Sequence, residues 1–316
     1  MILSTKNIHD TKNLDLLSQK LEIWIITYNR ADSLLETLIQ LANSPFSFCK
    51  ITVLDNKSND SSYSIALKQK KKFNDLNIIS NKINIGASAN FIRAVELSES
   101  TYTWVLCDDD FYDFSNVHDV IQAILEERAD LIHMGAHDIQ KWHPSGVLMT
   151  PKQLLAKDYK YFYFGSFLPC NLFRTETFYS QIVNAYKNAV NMYPHMPMLF
   201  DFYLKDKLMY VSNSQIVKAK MSDQSYNFYD WLDAWINTCL LLPSNAAKIA
   251  FYDQLLETNH FCLMKNLTLH LAKKKTNIKL IISLFLVTNR LDNLYLCFLI
   301  PAAKIYIVLK NNMIKS

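Results

Sequence analysis

Three consecutive carboxylates, Asp108, Asp109 and Asp110, follow directly on the apolar run Trp104–Cys107. A run of that kind reads as a strand buried on both faces. Adjacent carboxylates repel one another and cannot be buried without a cation. Mg²⁺ or Mn²⁺ meets that need with oxygen ligands and is commonly shared with substrate phosphates. Side chains alternate in an extended segment, so Asp108 and Asp110 are expected to grip one ion while Asp109 faces elsewhere. The chemistry expected is metal-assisted handling of a phosphate or diphosphate at a strand end. A solvated acidic loop after a core strand would look the same in isolation, so the weight falls on what other elements bring to it.

Those elements alternate. Glu22–Thr27, Ile51–Leu54, Leu76–Ile79, Tyr102–Cys107 and Leu131–Met134 read as strands. Between them lie helical patterns. Ser33 and Glu36 have capping-box spacing ahead of the stripe Leu34, Leu35, Leu38, Leu41 and Ala42. A helix is expected to run into the lysines at 68–72, another from Ala89, and a fourth over Ser115–Arg128. Alternation at these lengths predicts right-handed crossovers and a mostly parallel sheet. Ligands of such sheets bind beyond the carboxyl ends of the strands. Thr27–Arg30, Asp55–Asp60 and Asp108–Asp110 each follow a strand, so all three polar clusters are expected to meet on one edge.

Composition narrows the chemistry. The chain has 316 residues, half of them hydrophobic, and four glycines: Gly86, Gly135, Gly146 and Gly165. With no glycine before residue 86, the front of the chain lacks a P-loop and a G-x-G-x-x-G turn, both of which need close backbone approach to phosphate. The six cysteines are scattered, which suits neither a zinc nor a disulfide framework and points to a reducing compartment. Residues 271–316 hold eight lysines and arginines against the single acid Asp292, in a chain of formal charge +4, so the preceding part is mildly acidic. A basic tail suits an anionic surface.

Within the clusters, Tyr28 offers a ring face to a nucleobase and Asp55 an acceptor for a base N–H or a ribose hydroxyl. Arg30 and Arg93 suit a diphosphate. Gly86 is expected in a positive-φ turn, with Asn84 and Asn90 placed to hydrogen-bond a sugar or nucleotide. The motifs I-T-Y-N-R at Ile26–Arg30, V-L-D-N-K-S-N-D at Val53–Asp60, N-I-G-A-S-A-N-F at Asn84–Phe91 and L-C-D-D-D at Leu106–Asp110 together resemble glycosyltransferase family 2. Their order and spacing match over roughly the first 135 residues. The chain looks most like the O-antigen abequosyltransferase-like branch.

The resemblance implies an α/β GT-A fold, Rossmann-like, with a mostly parallel sheet flanked by helices. It also implies a nucleotide-diphosphate sugar donor, Mn²⁺ or Mg²⁺, and inverting transfer. Thr27, Tyr28, Asn29, Arg30 and Asp55 would hold the nucleotide. The DXD-type metal motif falls on Asp108–Asp110, with Asp110 the surest ligand and Asp109 toward ribose or donor sugar. Many members carry an acidic E-D pair further on as general base; no E-D occurs here. In its place stands Met192–Phe202, containing Y-P-H, a feature the abequosyltransferase-like branch shares. His195 is therefore the first candidate base and Asp201 the second, since a neutral imidazole can accept a hydroxyl proton near pH 7. Phe167–Thr177, with Arg174 and Glu176, is expected to line the acceptor side.

Beyond about residue 225 the chain reads as helical and aromatic. Ile278–Val287 and Leu294–Ala303 are apolar but well short of the ~18 residues that span a bilayer. Lysines around them suggest helices lying in the interface. The expected organisation is an N-terminal extension (1–20), a glycosyltransferase domain (21–225) and a basic, helical C-terminal extension (226–316). The expected function is sugar transfer from a nucleotide donor to a hydroxyl of a lipid-linked surface oligosaccharide, such as O-antigen or capsule. The expected location is the cytoplasmic face of the membrane, with peripheral contact to anionic lipid and no nucleic-acid partner. A sugar nucleotidyltransferase and a non-catalytic carbohydrate or membrane adaptor are the competing readings. The glycine-poor front argues against the first, and the intact acid triplet against the second.

Overall fold

The structure is a computed structural model and describes residues 10–137, 146–157, 161–218, 234–235 and 237–251. The chain divides into two compact units, Met1–Asp223 and Gln224–Ser316. The apolar stretches at 278–287 and 294–303 and the lysines around them lie outside the described residues. Among the described residues no helix is long and apolar enough to cross a membrane.

The first unit is built on one nine-stranded sheet. Its strands are β1 (Leu21–Thr27), β2 (Lys50–Asp55), β3 (Asp75–Ser80), β4 (Tyr102–Cys107), β5 (Phe111–Tyr112), β6 (Leu131–His137), β7 (Val147–Met149), β8 (Asn171–Arg174) and β9 (Met209–Lys218). Their order is β3-β2-β1-β4-β8-β6-β9-β5, with β7 paired to β9. The first four are parallel neighbours. Then β8 enters antiparallel between β4 and β6. This is the α/β GT-A arrangement expected, with a mixed half that strand–helix alternation alone does not reveal.

The helices are α1 (Thr11–Lys20), α2 (Ala31–Ala42), α3 (Ser62–Gln69), α4 (Ala87–Glu96), α5 (His118–Leu125), α6 (Pro151–Ala156), α7 (Tyr161–Gly165), α8 (Thr175–Tyr179), α9 (Ile182–Asn188) and α10 (Met196–Lys205). Residues 11–20, read from sequence as a polar extension, form α1, which is capped by the Asp10 side chain and buries Leu14 and Leu17. The Ser33–Glu36 spacing does not start α2, which begins at Ala31 with no cap from its preceding residue. Its first amide instead donates to Asp60 Oδ2 at 3.0 Å. The other oxygen of Asp60 accepts from the amide (3.0 Å) and hydroxyl (2.6 Å) of Ser62, the first residue of α3. One carboxylate thus satisfies orphan amides at two helix N-termini, where negative charge is also favoured by the helix dipoles.

The core explains why the apolar strands come to a stop at polar ends. Ile23, Ile25, Ile51, Val53, Trp104 and Leu106 are fully buried in one cluster with Leu34, Leu38 and Leu41 of α2. Trp104 also satisfies its indole N–H, which donates to Pro169 O at 2.8 Å. In the second unit, Trp235 packs on Phe251, their ring centroids 4.6 Å apart.

Candidate functional site

Strand register brings the three polar clusters together. Thr27 is paired with Asp55, and Ile26 with Cys107, so β1, β2 and β4 end side by side. The three clusters that follow therefore share one sheet edge.

The turn after β1 is tied to the turn after β2. The Asn29 amide donates to Ser58 Oγ at 2.9 Å, and Asn29 Oδ1 accepts from the Asn59 amide at 2.7 Å. Asn29 sits at φ 51°, a left-handed conformation that Asn tolerates better than most residues. Tyr28 stands exposed at the rim. Asp55 is buried: its Oδ1 accepts from the Ser58 amide (3.0 Å) and its Oδ2 from the Ser80 hydroxyl (2.8 Å). Each carboxylate oxygen keeps a further acceptor direction for a ligand.

Behind Asp55 lies a ladder of asparagines. Asn81 Nδ2 donates to Asn56 Oδ1 (2.9 Å) and to Asn90 Oδ1 (2.7 Å). Asn90 Nδ2 donates to Leu54 O (3.1 Å), and Asn56 Nδ2 to Asn84 Oδ1 (2.8 Å). Asn84 Oδ1 also receives the Gly86 amide at 2.9 Å. Asn84 and Asn90, read from sequence as ligand contacts, both make hydrogen bonds within the protein; Asn84 is exposed, and buried Asn90 fixes the start of α4 against the end of β2. The partners Asn56 and Asn81 and the hydroxyls of Ser58 and Ser80 were missed. The polar tracts around them were visible, but not their pairing across the fold. Gly86 does adopt positive φ (85°) and stands as the N-cap of α4.

The acidic turn differs from the extended geometry expected. Residues 108–110 form a turn, so strand alternation does not govern them. Asp108, only 2% exposed, points to Arg30, whose Nη1 lies 3.1 Å from its Oδ1. The same nitrogen lies 2.7 Å from Asp109 Oδ2. Burial pushes the Asp108 carboxyl up to about 6, against the opposing pull of Thr27 and Arg30. Burial works against the Arg30 charge, and the two carboxylates outweigh it, so its pKa is raised. Among the described residues, Cys107, Asp109 and Asp110 form the one cluster of acidic and thiol side chains whose candidate ligand atoms all lie within 4.8 Å of one another. Asp108, grouped with Asp110 in the sequence, is turned to Arg30 instead, and Cys107 stands beside Asp109 and Asp110. The two carboxylates are oxygen donors that fit Mn²⁺ or Mg²⁺, whereas burial and the neighbouring carboxylates push the Cys107 thiol up and keep it protonated, so it is no donor for such an ion.

The remaining candidates lie elsewhere. Arg93 is exposed in the last turn of α4, beside Glu96 and Tyr186 rather than at the sheet edge. Arg174 ends β8 opposite Tyr102, the first residue of β4, because β8 runs antiparallel. It is held there by Asp130 (2.8 Å) and Glu127 (3.1 Å), at the opposite end of the sheet from the carboxylates. Asp201 bridges Lys205 (2.6 Å) and Lys207 (3.0 Å). Burial acts to raise its pKa, but the two ammonium groups prevail and lower it.

His195 is 2% exposed, at the N-cap of α10. Its Nε2 lies 3.0 Å from Gly165 O, and its ring packs edge-on against Phe91 and Tyr193. With Nε2–H donating to that carbonyl, the lone pair falls on Nδ1, which is buried without a hydrogen-bond partner. Burial pushes the imidazole down to about 4, so it is neutral at physiological pH.

The comparisons agree with this geometry. The model of glycosyl transferase family 2 matches residues 22–190. Among solved structures, S. aureus TarS 1–349 in complex with UDP-GlcNAc aligns with a TM-score of 0.60 and 17% identity, over 90% of this chain and 89% of that one. The same protein in complex with UDP aligns at 0.53 and 19%, over 80% and 79%. Against the longer S. aureus TarS structure the TM-score is 0.55 at 16% identity, and the match spans half of that chain. No curated protein sequence matches the chain. At these identities the structural likeness establishes the GT-A fold, while the family match extends over more than half of the sequence, from β1 through the acidic turn to the end of α9. The chain belongs to glycosyl transferase family 2.

Proposed function

We propose that the protein is an inverting, divalent-metal-dependent glycosyltransferase. It transfers a sugar from a nucleotide-diphosphate donor to a hydroxyl of a lipid-linked surface oligosaccharide, as in the O-antigen abequosyltransferase-like branch. The observation that carries this reading is the meeting of Thr27, Asp55 and the Asp108–Asp110 turn at the ends of three adjacent parallel strands. That TarS was solved with UDP-GlcNAc and with UDP supports a nucleotide donor here.

In this reading Tyr28 covers the base and Asp55 accepts a base N–H or ribose hydroxyl. Asp109 and Asp110 hold Mn²⁺ or Mg²⁺. When bound, the ion neutralises negative charge gathering on the departing diphosphate. Arg30 sits beside that turn and contributes positive charge of its own. His195 is the preferred base: its neutral ring has its lone pair on an unpartnered Nδ1, whereas Asp201 is committed to two lysines. Transfer of the acceptor proton to Nδ1 would leave the Nε2–H bond to Gly165 undisturbed. Residues 21–225 form the catalytic domain, and the basic region 226–316 contacts anionic lipid on the inner face of the membrane.

Incubating the purified protein with a panel of nucleotide sugars and Mn²⁺ tests the reading. Release of a nucleoside diphosphate from one donor, accelerated by a lipid-linked acceptor, is the expected result. Pyrophosphate release from a nucleoside triphosphate and a sugar phosphate would instead make it a nucleotidyltransferase.

A further inference from the structure

Helix α3 carries a face that the fold does not use. Ser62 and Ala66 point into the protein, and Phe73 just beyond joins the core. One turn apart on another side, Tyr63 and Leu67 stand 48% and 54% exposed. Lys68 lies in the last turn of the helix, and Lys70–Lys72 form the 3-10 turn that follows. All four lysines are exposed, and among the described residues none of them is in an ion pair. No acid occurs between Ser61 and Asn74. The segment flanks β3, the strand at one edge of the sheet.

An isolated exposed leucine or a lysine run is ordinary. Their union on one short segment is less so. Four cations without an acid repel one another, and an anionic partner relieves that repulsion. An exposed tyrosine and leucine beside them gain by leaving water. Interfacial anchors combine these two properties: apolar side chains that reach the headgroup–acyl boundary, and lysines that meet anionic headgroups. A nucleic-acid backbone would engage the lysines but leave Leu67 in water. We infer that the α3 face, Tyr63 and Leu67 with Lys68 and Lys70–Lys72, docks on an anionic lipid bilayer. None of these residues belongs to the donor site.

The test is flotation of the full-length protein with vesicles of phosphatidylcholine alone or mixed with phosphatidylglycerol. The protein should bind the mixed vesicles, and hydrogen exchange over residues 62–72 should slow when they are added. Lys70→Gln/Lys71→Gln/Lys72→Gln should lower partitioning roughly a hundredfold, at about fivefold for each lysine near the surface. Leu67→Ser should lower it severalfold. Both variants should keep the wild-type circular dichroism and thermal midpoint, because the changed side chains are exposed. Failure of the wild type to bind would overturn the inference. So would binding equal to wild type in both variants, with loss only on reversing Lys273, Lys274 and Lys275. A lysine variant that loses an oligonucleotide while Leu67→Ser floats normally would mark a polyanion site and overturn it as well.

Discussion

Arg30 Nη1 lies 2.7 Å from Asp109 Oδ2. The same nitrogen reaches the buried Asp108 at 3.1 Å, so one guanidinium compensates two of the three carboxylates in the acidic turn. Removing one partner of a buried pair strands the other charge. Arg30→Ala should therefore destabilise the protein by about 1–3 kcal/mol, discounted because Arg30 is itself partly exposed. Arg30→Ala/Asp108→Asn should recover part of that loss. Urea unfolding of the two single variants and the double measures the coupling. Strict additivity would mean that the pair is not compensating.

Asp108 also predicts a pH dependence. Its carboxyl is raised to about 6 in the fold, against about 3.9 in an unfolded chain. Between those values the unfolded state releases a proton that the folded state keeps. Its contribution to stability is therefore lost as pH rises from about 4 to about 6. His133 and His195 act in the opposite direction: burial lowers both to about 4, against about 6.5 when unfolded. Their neutral burial costs stability as pH falls from about 6.5 toward 4. Asp108→Asn should remove only the first effect. Its stability should climb more steeply than wild type between pH 4 and 6. Parallel curves for the two proteins in thermal melts without metal would contradict the assignment.

The asparagine ladder should be a structural support for the donor site. Asn90→Ala leaves Asn81 Nδ2 and the Leu54 carbonyl each short of a partner. A loss of about 1–3 kcal/mol is expected for a group left unsatisfied in the interior. Nucleoside diphosphate affinity should weaken with it, because Asp55 follows Leu54 directly. An unchanged urea midpoint would show that the ladder is dispensable.

For the base, His195→Gln should lower the catalytic rate far more than donor affinity, and Asp201→Asn should chiefly cost stability by unpairing Lys205 and Lys207. Single-turnover rates and calorimetry on both variants separate these effects. A dead Asp201→Asn enzyme beside a near-normal His195→Gln enzyme would transfer the role to Asp201.

The parallel half of the fold was legible because its signals are local. The apolar runs of β1, β2 and β4 stop on polar residues, and that pattern predicts both the strands and the shared edge. Contacts made by distant residues were not legible. Asp60 caps α2 from 29 positions away, so the nearby Ser33–Glu36 spacing misled. Asn81 meets Asn56 and Asn90 at separations of 25 and 9 residues, so the sequence showed polar turns but not a ladder. Arg174 was misplaced because nothing in its neighbourhood reveals that β8 runs antiparallel. The acidic triplet was found, but its pairing was drawn from strand alternation, which ends where the turn begins.

The most direct test of the account is calorimetric titration of nucleoside diphosphates (UDP, GDP, CDP and TDP) into the wild type and Asp110→Ala, with Mn²⁺ and with excess chelator. The account predicts that one nucleotide binds the wild type with Mn²⁺. That binding should weaken at least tenfold, about 1.4 kcal/mol, in chelator and in Asp110→Ala, while the urea midpoint of the variant stays near wild type. Affinity untouched by both the chelator and the substitution would contradict a metal-assisted diphosphate site at Asp109 and Asp110.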